Sequence, residues 1–134
     1  MNRKLKFRLG LGVALVLLSA IVVLYFYVYQ SHRDIDAEKA AFETSVIELS
    51  QRFINNPDSS TVTYADQTIF IYGNVTALDL KQNTITLDNK LIAIASKDEM
   101  HSAKMGELVK LKGRFIGYDE LFNELRMDQC TIEE

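Results

Sequence analysis

From Leu9 to Tyr29 the chain carries 21 residues without a charge. Beyond that run the spacing becomes helical: Ile35, Phe42, Val46, Leu49 and Phe53 recur on one face, which predicts a helix over 31–56. Asp34 can cap its start, and Asn55, Asn56 and Pro57 can stop it, leaving the Ser- and Thr-rich stretch 57–63 as a linker. The helix stripe needs a partner, either the following domain or a second copy of the chain.

From Tyr64 the period changes to two. Ile69, Ile71, Gly73 and Val75 share one face of a long strand over 68–77, with Phe70, Tyr72, Asn74 and Thr76 on the other. A glycine in mid-strand predicts a bulge or bend, and Gly73 is expected to resist substitution there. A second strand, 83–87, leads through a two-residue Asp88-Asn89 turn into a third, 90–95. Such a turn sets Leu87 opposite Lys90 and Ile85 opposite Ile92. Ile85, Leu87, Ile92 and Ile94 then point inward, and Thr84, Thr86, Leu91, Ala93 and Ala95 outward. Ser96-Lys97-Asp98-Glu99 is a capping box, so a short helix over 97–105 is expected to end at Gly106 and plug the sheet with Met100, Ala103 and Met105. Alternation resumes over 107–118 with Val109, Leu111, Gly113 and Phe115 inward. In the last strand, 124–132, Leu125 and Met127 are out of phase with Cys130 and Ile132, which predicts a bulge near Asp128.

The apolar run decides location. At about 1.5 Å per residue it reaches roughly 31 Å as a helix, against ~30 Å of bilayer hydrocarbon. Thirteen of its residues are Leu, Ile, Val or Phe, which favours insertion by several kcal/mol. Arg3, Lys4, Lys6 and Arg8 precede it with no acid beside them, so residues 1–8 are expected in the cytoplasm and 31–134 across the membrane. Tyr25, Tyr27 and Tyr29 fall at the far interface. The rival is a cleaved signal peptide, but the small pair Ser19-Ala20 is followed by nine more apolar or aromatic residues, so the span reads as an uncleaved anchor.

Charge and cysteine usage narrow the partners. Residues 31–134 hold all 18 acids and 11 of the 15 Lys and Arg, a balance of −7. That field opposes generic nucleic-acid binding. Cys130 is the sole cysteine, so no intramolecular disulfide forms and the core alone must stabilise the domain.

The expected fold is mainly β: a five-stranded barrel with a short helix between strands three and four, over 64–134. A juxtamembrane helix and linker (31–63) and one transmembrane helix (9–30) precede it. This order is that of the OB barrel. Three stretches carry a resemblance to the bacterial OB-fold family likened to tRNA anticodon-binding domains. They are Tyr64 before Ile69-Phe70-Ile71-Tyr72-Gly73-Asn74-Val75, Gly106 before Val109-Lys110-Leu111-Lys112-Gly113, and the closing Asp128-Gln129-Cys130-Thr131-Ile132. The resemblance implies an envelope protein behind a membrane or lipoprotein anchor, here in the bacterial cytoplasmic membrane. It also implies a cysteine in the third strand bridging to the last, but Ala93 and Ala95 stand there instead.

Candidate chemistry is sparse. His32 and His101 have no ligand-spaced neighbour, and no nucleophile, phosphate-loop or metalloprotease motif occurs, so no enzyme, metal or cofactor is expected. A haem-chaperone layout of basic tail, anchor and barrel is present without the His-x-x-x-Tyr segment that carries its haem. A nucleic-acid reading rests on Lys110, Lys112 and Arg114, a basic stripe read otherwise as a solvated edge strand. The favoured reading is a protein or peptide partner in the envelope. It would be met by Tyr118, Leu121 and Phe122 in the last loop and by Phe70 and Tyr72, unless those two receive the helix stripe. A homodimer through the juxtamembrane helix is the further partner considered.

Overall fold

The computed structural model describes residues 2–29 and 33–133, in two compact units that divide between Arg33 and Asp34. The first is a helix, α1 (Arg3–Val28), with no buried residue and a mean hydropathy of 2.6 over its most apolar window. It is long and apolar enough to cross a membrane.

The second unit begins with a departure from the expected helix over 31–56; Ser31, its first residue, lies outside the described residues. Phe42–Ser45 is a strand, β1, and the helix α2 starts only at Val46 and runs to Asn55. Ser45 Oγ accepts the Glu48 amide at 3.1 Å, so Ser45-x-x-Glu48 is the true start signal. Asp34 caps no helix; its carboxylate closes a local turn by accepting from the Ala37 amide. Nor is 57–63 a linker. Pro57 opens a second helix, α3 (Pro57–Tyr64), because a proline at the first helical position forfeits an amide that would have no partner there.

Five further strands follow: β2 (Thr68–Asp79), β3 (Thr84–Leu87), β4 (Leu91–Ala95), β5 (Leu108–Asp119) and β6 (Glu124–Glu133), with the short helix α4 (Lys97–Ser102) between β4 and β5. The sheet runs β1-β2-β3-β4-β6-β5, and β2 also pairs with β5, so β2 to β6 close into a barrel. β1 lies parallel to β2, pairing Phe42 with Ile69 through Ser45 with Tyr72. Since Ile69–Tyr72 also pair with β5, β1 occupies their opposite edge. Val46, Leu49 and Phe53 are buried against the barrel. Phe53 sits among Phe115, Tyr118 and Tyr64 at ring separations of 5.4, 5.4 and 6.3 Å. The stripe therefore spends its apolar face within the chain. Phe42 pairs its ring with Tyr64 at 4.9 Å, and Phe70 and Tyr72 lie on the face of β2 opposite the buried Ile69 and Ile71.

The central hairpin differs from expectation by one residue. Asp88 and Asn89 do take positive φ, 50° and 54°, and the Lys90 amide closes the turn on the Leu87 carbonyl. The Lys90 carbonyl, however, accepts from Leu125 of β6 at 2.7 Å. The ladder thus resumes at Leu91, giving Leu87↔Leu91 and Ile85↔Ala93. One residue of slip exchanges the faces. Leu91, Ala93 and Ala95 are buried, while Ile92 and Ile94 turn outward.

Two other details shift. α4 ends at Ser102, so Met105 is exposed while Met100 and Ala103 are buried. Gly73 shows no irregularity of its own; the register shift in β2 falls between Val75 and Ala77. A Cβ at position 73 would lie 2.5 Å from Asp88 Oδ2 and 3.0 Å from Val46 Cγ2, so the Asp88 carboxylate would have to shift to admit one. The bulge near Asp128 is present, with Gln129 at φ 50° and shifts in both ladders of β6.

Candidate functional site

The β5–β6 hairpin presents the most exposed apolar pair on the barrel unit. Asp119 and Glu124 are the last partners of the ladder, and Asp119 Oδ1 accepts the amides of Leu121 (3.0 Å) and Phe122 (3.3 Å). Asn123 then turns the chain back at φ 58°. These local bonds hold the tip while leaving its side chains outward: Leu121 is 91% and Phe122 67% exposed. Tyr118 behaves differently. Its ring is half-buried, stacked on Phe53 at 29° between planes, and its hydroxyl donates to Asn123 Oδ1. The expected trio thus separates into a supporting ring and a two-residue tip. Beside it lies an open depression of about 370 Å³ lined by Ile116, Gly117, Tyr118, Asp119, Glu120 and Arg126. Arg126 reaches Asp119 at 3.5 Å and Glu124 at 3.7 Å.

Phe70 and Tyr72 belong to another surface, on the outward face of β2. Lys110 and Lys112 from β5 stand over the Phe70 ring at 4.4 and 5.9 Å from its centre. β5 is no edge strand, since β2 and β6 flank it, and its cations are engaged within the fold. Lys110 pairs with Glu43 of β1 at 2.8 Å. Lys112 donates to the Asp36 carbonyl at 2.7 Å. Arg114 makes two bonds to Asp128, which hold its guanidinium charged above its usual range against the opposing effect of burial. The segment that supplies Asp36 and Glu43 has the spacing of a helix, so these pairings have no local signal in the sequence.

The outward face of the β3–β4 hairpin carries Thr84, Thr86, Ile92 and Ile94, with no aromatic or cationic side chain among them. Cys130 is buried opposite Ala95. Burial, and secondarily the Asp128 carboxylate, push its thiol well above the ordinary range. Among the described residues no three His, Cys, Asp or Glu side chains converge as a metal site; His101 is exposed on α4, and His32 lies outside the described residues.

A closed barrel of strand order β2-β3-β4-β6-β5, with its helix between β4 and β5, decides the architecture. The fold is an OB barrel. No protein-family model matches the chain, and no curated protein matches it either. Among solved structures it is similar to a lipoprotein of Klebsiella pneumoniae subsp. pneumoniae MGH 78578, provisionally described as nucleic acid-binding. That match has a TM-score of 0.53 at 12% identity, over 69% of this chain and 91% of the other. A protein described as an aspartyl-tRNA synthetase, from Leishmania major Friedlin, matches with a TM-score of 0.45 at 12% identity, over 84% of this chain but 25% of its own. At these identities the first likeness supports the fold alone. To the OB barrel this chain adds β1, α2 and α3.

Proposed function

We propose that this protein is a non-catalytic OB module, held by α1 in the bacterial cytoplasmic membrane with its barrel outside the cytoplasm, that binds a protein partner of the cell envelope. The observation that carries the reading is the β5–β6 tip. Leu121 and Phe122 are outward on a turn held by Asp119, a geometry that lets an apolar pair enter a partner's pocket at little ordering cost. The basic flank before Leu9 supports the orientation. Site-specific photocrosslinking from position 122 in intact cells is expected to trap one predominant protein, and Leu121→Ser with Phe122→Ser to abolish the adduct. A tip that traps nothing, with the barrel folded and exported, would refute the reading.

The description of the Klebsiella lipoprotein supplies the second reading, single-stranded nucleic-acid binding, for which Phe70 beneath Lys110 and Lys112 is the best local feature. Against it stand the −7 balance of residues 31–134 and the intramolecular engagement of Lys110, Lys112 and Arg114. Phosphate-driven affinity scales with the cations free to engage. Fluorescence anisotropy with a single-stranded oligonucleotide at physiological salt is expected to show no binding.

A further inference from the structure

In α1, Arg3, Lys4, Phe7 and Arg8 line one open concavity of about 440 Å³ whose wall is almost wholly apolar. Lys6 is absent from it, because helical spacing carries position 6 to the far side. Lys4 and Arg8 stand four residues apart, where like charges repel, and no acid occurs before Asp34 to relieve them. Phe7 is 75% exposed between them, next to the apolar run that starts at Leu9. Two arginines and a lysine beside an aromatic ring, just outside a membrane-length apolar segment, match the boundary between a phosphate headgroup and its acyl chains.

We propose that this face is a binding site for an anionic phospholipid, with Arg3, Lys4 and Arg8 on the headgroup phosphate and Phe7 against the upper acyl chain. The proposal rests on α1 being a retained membrane anchor. A compact phosphodiester bearing uncompensated negative charge fits the site. A zwitterionic headgroup does not, because its own ammonium competes with the cations.

The test uses the full chain extracted from membranes in neutral detergent, stripped of lipid, and titrated with phosphatidylglycerol or phosphatidylethanolamine under native mass spectrometry. Phosphatidylglycerol is expected to be retained in preference, and Lys4→Gln to weaken it roughly fivefold, as for one cation at an anionic surface. Lys6→Gln, which removes the same charge from the other side of the helix, is expected to leave it within twofold. Equal retention of the two lipids, or equal weakening by both substitutions, would overturn the site and reduce the tail to diffuse attraction. Displacement of phosphatidylglycerol by an equal concentration of glycerol 3-phosphate would overturn the lipid assignment in favour of a soluble phosphate. Intact mass separates the two levels of failure. A mature chain lacking residues 3–8 defeats the anchor and the site together, whereas a full-length chain without lipid preference defeats the site alone.

Discussion

Arg114 grips Asp128 across the β5–β6 bulge, its Nε donating to Oδ1 at 2.9 Å and a terminal nitrogen to Oδ2 at 2.5 Å. The side chains are 33% and 21% exposed, so the pair is shielded enough for its geometry to matter, unlike a fully solvated ion pair. It braces the bulge that brings Cys130 back to the inner face. Arg114→Met is expected to destabilise the barrel by about 2 kcal/mol, the range of hydrogen bonds to charged groups. The double variant with Asp128→Ala should lose less than the sum of the two single losses, as shown by a double-mutant cycle in urea.

The two buried strand glycines should differ in a definite order. A Cβ on Gly113 would meet Cys130 Sγ at 2.6 Å and the Asp128 carbonyl oxygen at 2.9 Å, whereas on Gly73 the nearest atom is the carboxylate end of Asp88. Backbone cannot step aside as a side-chain end can. Gly113→Ala is expected to cost more than Gly73→Ala, both in the range of about 1–3 kcal/mol for overpacking. Thermal melts of the isolated barrel unit in which Gly73→Ala is the worse would contradict the packing described.

The hairpin register is open to the same kind of test. Leu91 is fully buried and Ile94 is 46% exposed. Leu91→Thr is expected to cost about 2 kcal/mol or more, as for a lost core contact with a polar atom buried. Ile94→Thr, a β-branched residue on an outer face, should stay within about 0.5 kcal/mol. A two-residue turn would place both residues on the opposite faces and reverse the order.

Tyr118 and Phe122 should separate stability from binding. Tyr118 stacks on buried Phe53, so Tyr118→Ala is expected to lower the melting temperature. Phe122→Ala, at an exposed tip, should leave it unchanged. Circular dichroism melts beside the crosslinking yields from the tip would show the two effects apart.

Cys130 provides a pH dependence. Its folded thiol titrates far above the ordinary value because burial penalises the thiolate, with Asp128 adding repulsion. A folded-state pKa raised above the unfolded one means that the protonated form is favoured by folding. The thiol's contribution is therefore intact below the unfolded value, about 8.5, and stability falls as pH rises above it. Native protein at pH 8 is expected to resist iodoacetamide, with full labelling in guanidinium, and Cys130→Ala should flatten the alkaline loss of stability. Rapid labelling of native protein would place the thiol at the surface.

What the chain determined by itself is what short-range patterning carries. The uncharged run that becomes α1, the period-two stretches that become β2 and β5, the Ser96 cap, the phase break near Asp128 and the β-helix-β order of the barrel were legible because each depends on neighbours a few residues away. Exposure of Leu121 and Phe122 was legible for the same reason, as a loop pair between two alternating strands. The tertiary structure decided what depends on distant partners. Residues 42–45 have helical spacing yet join β2, because Ile69–Tyr72 leave an edge unpaired that a parallel strand can fill. The faces of β4 exchange, while Ile85 and Leu87 of β3 stay inward, because the Lys90 carbonyl finds Leu125 of β6 rather than its hairpin partner. The basic stripe is engaged because chain closure brings Asp36, Glu43 and Asp128 to it. Local alternation says which residues share a face; hydrogen bonds and ion pairs to residues far along the chain choose which face is inward and which charges are left for a partner.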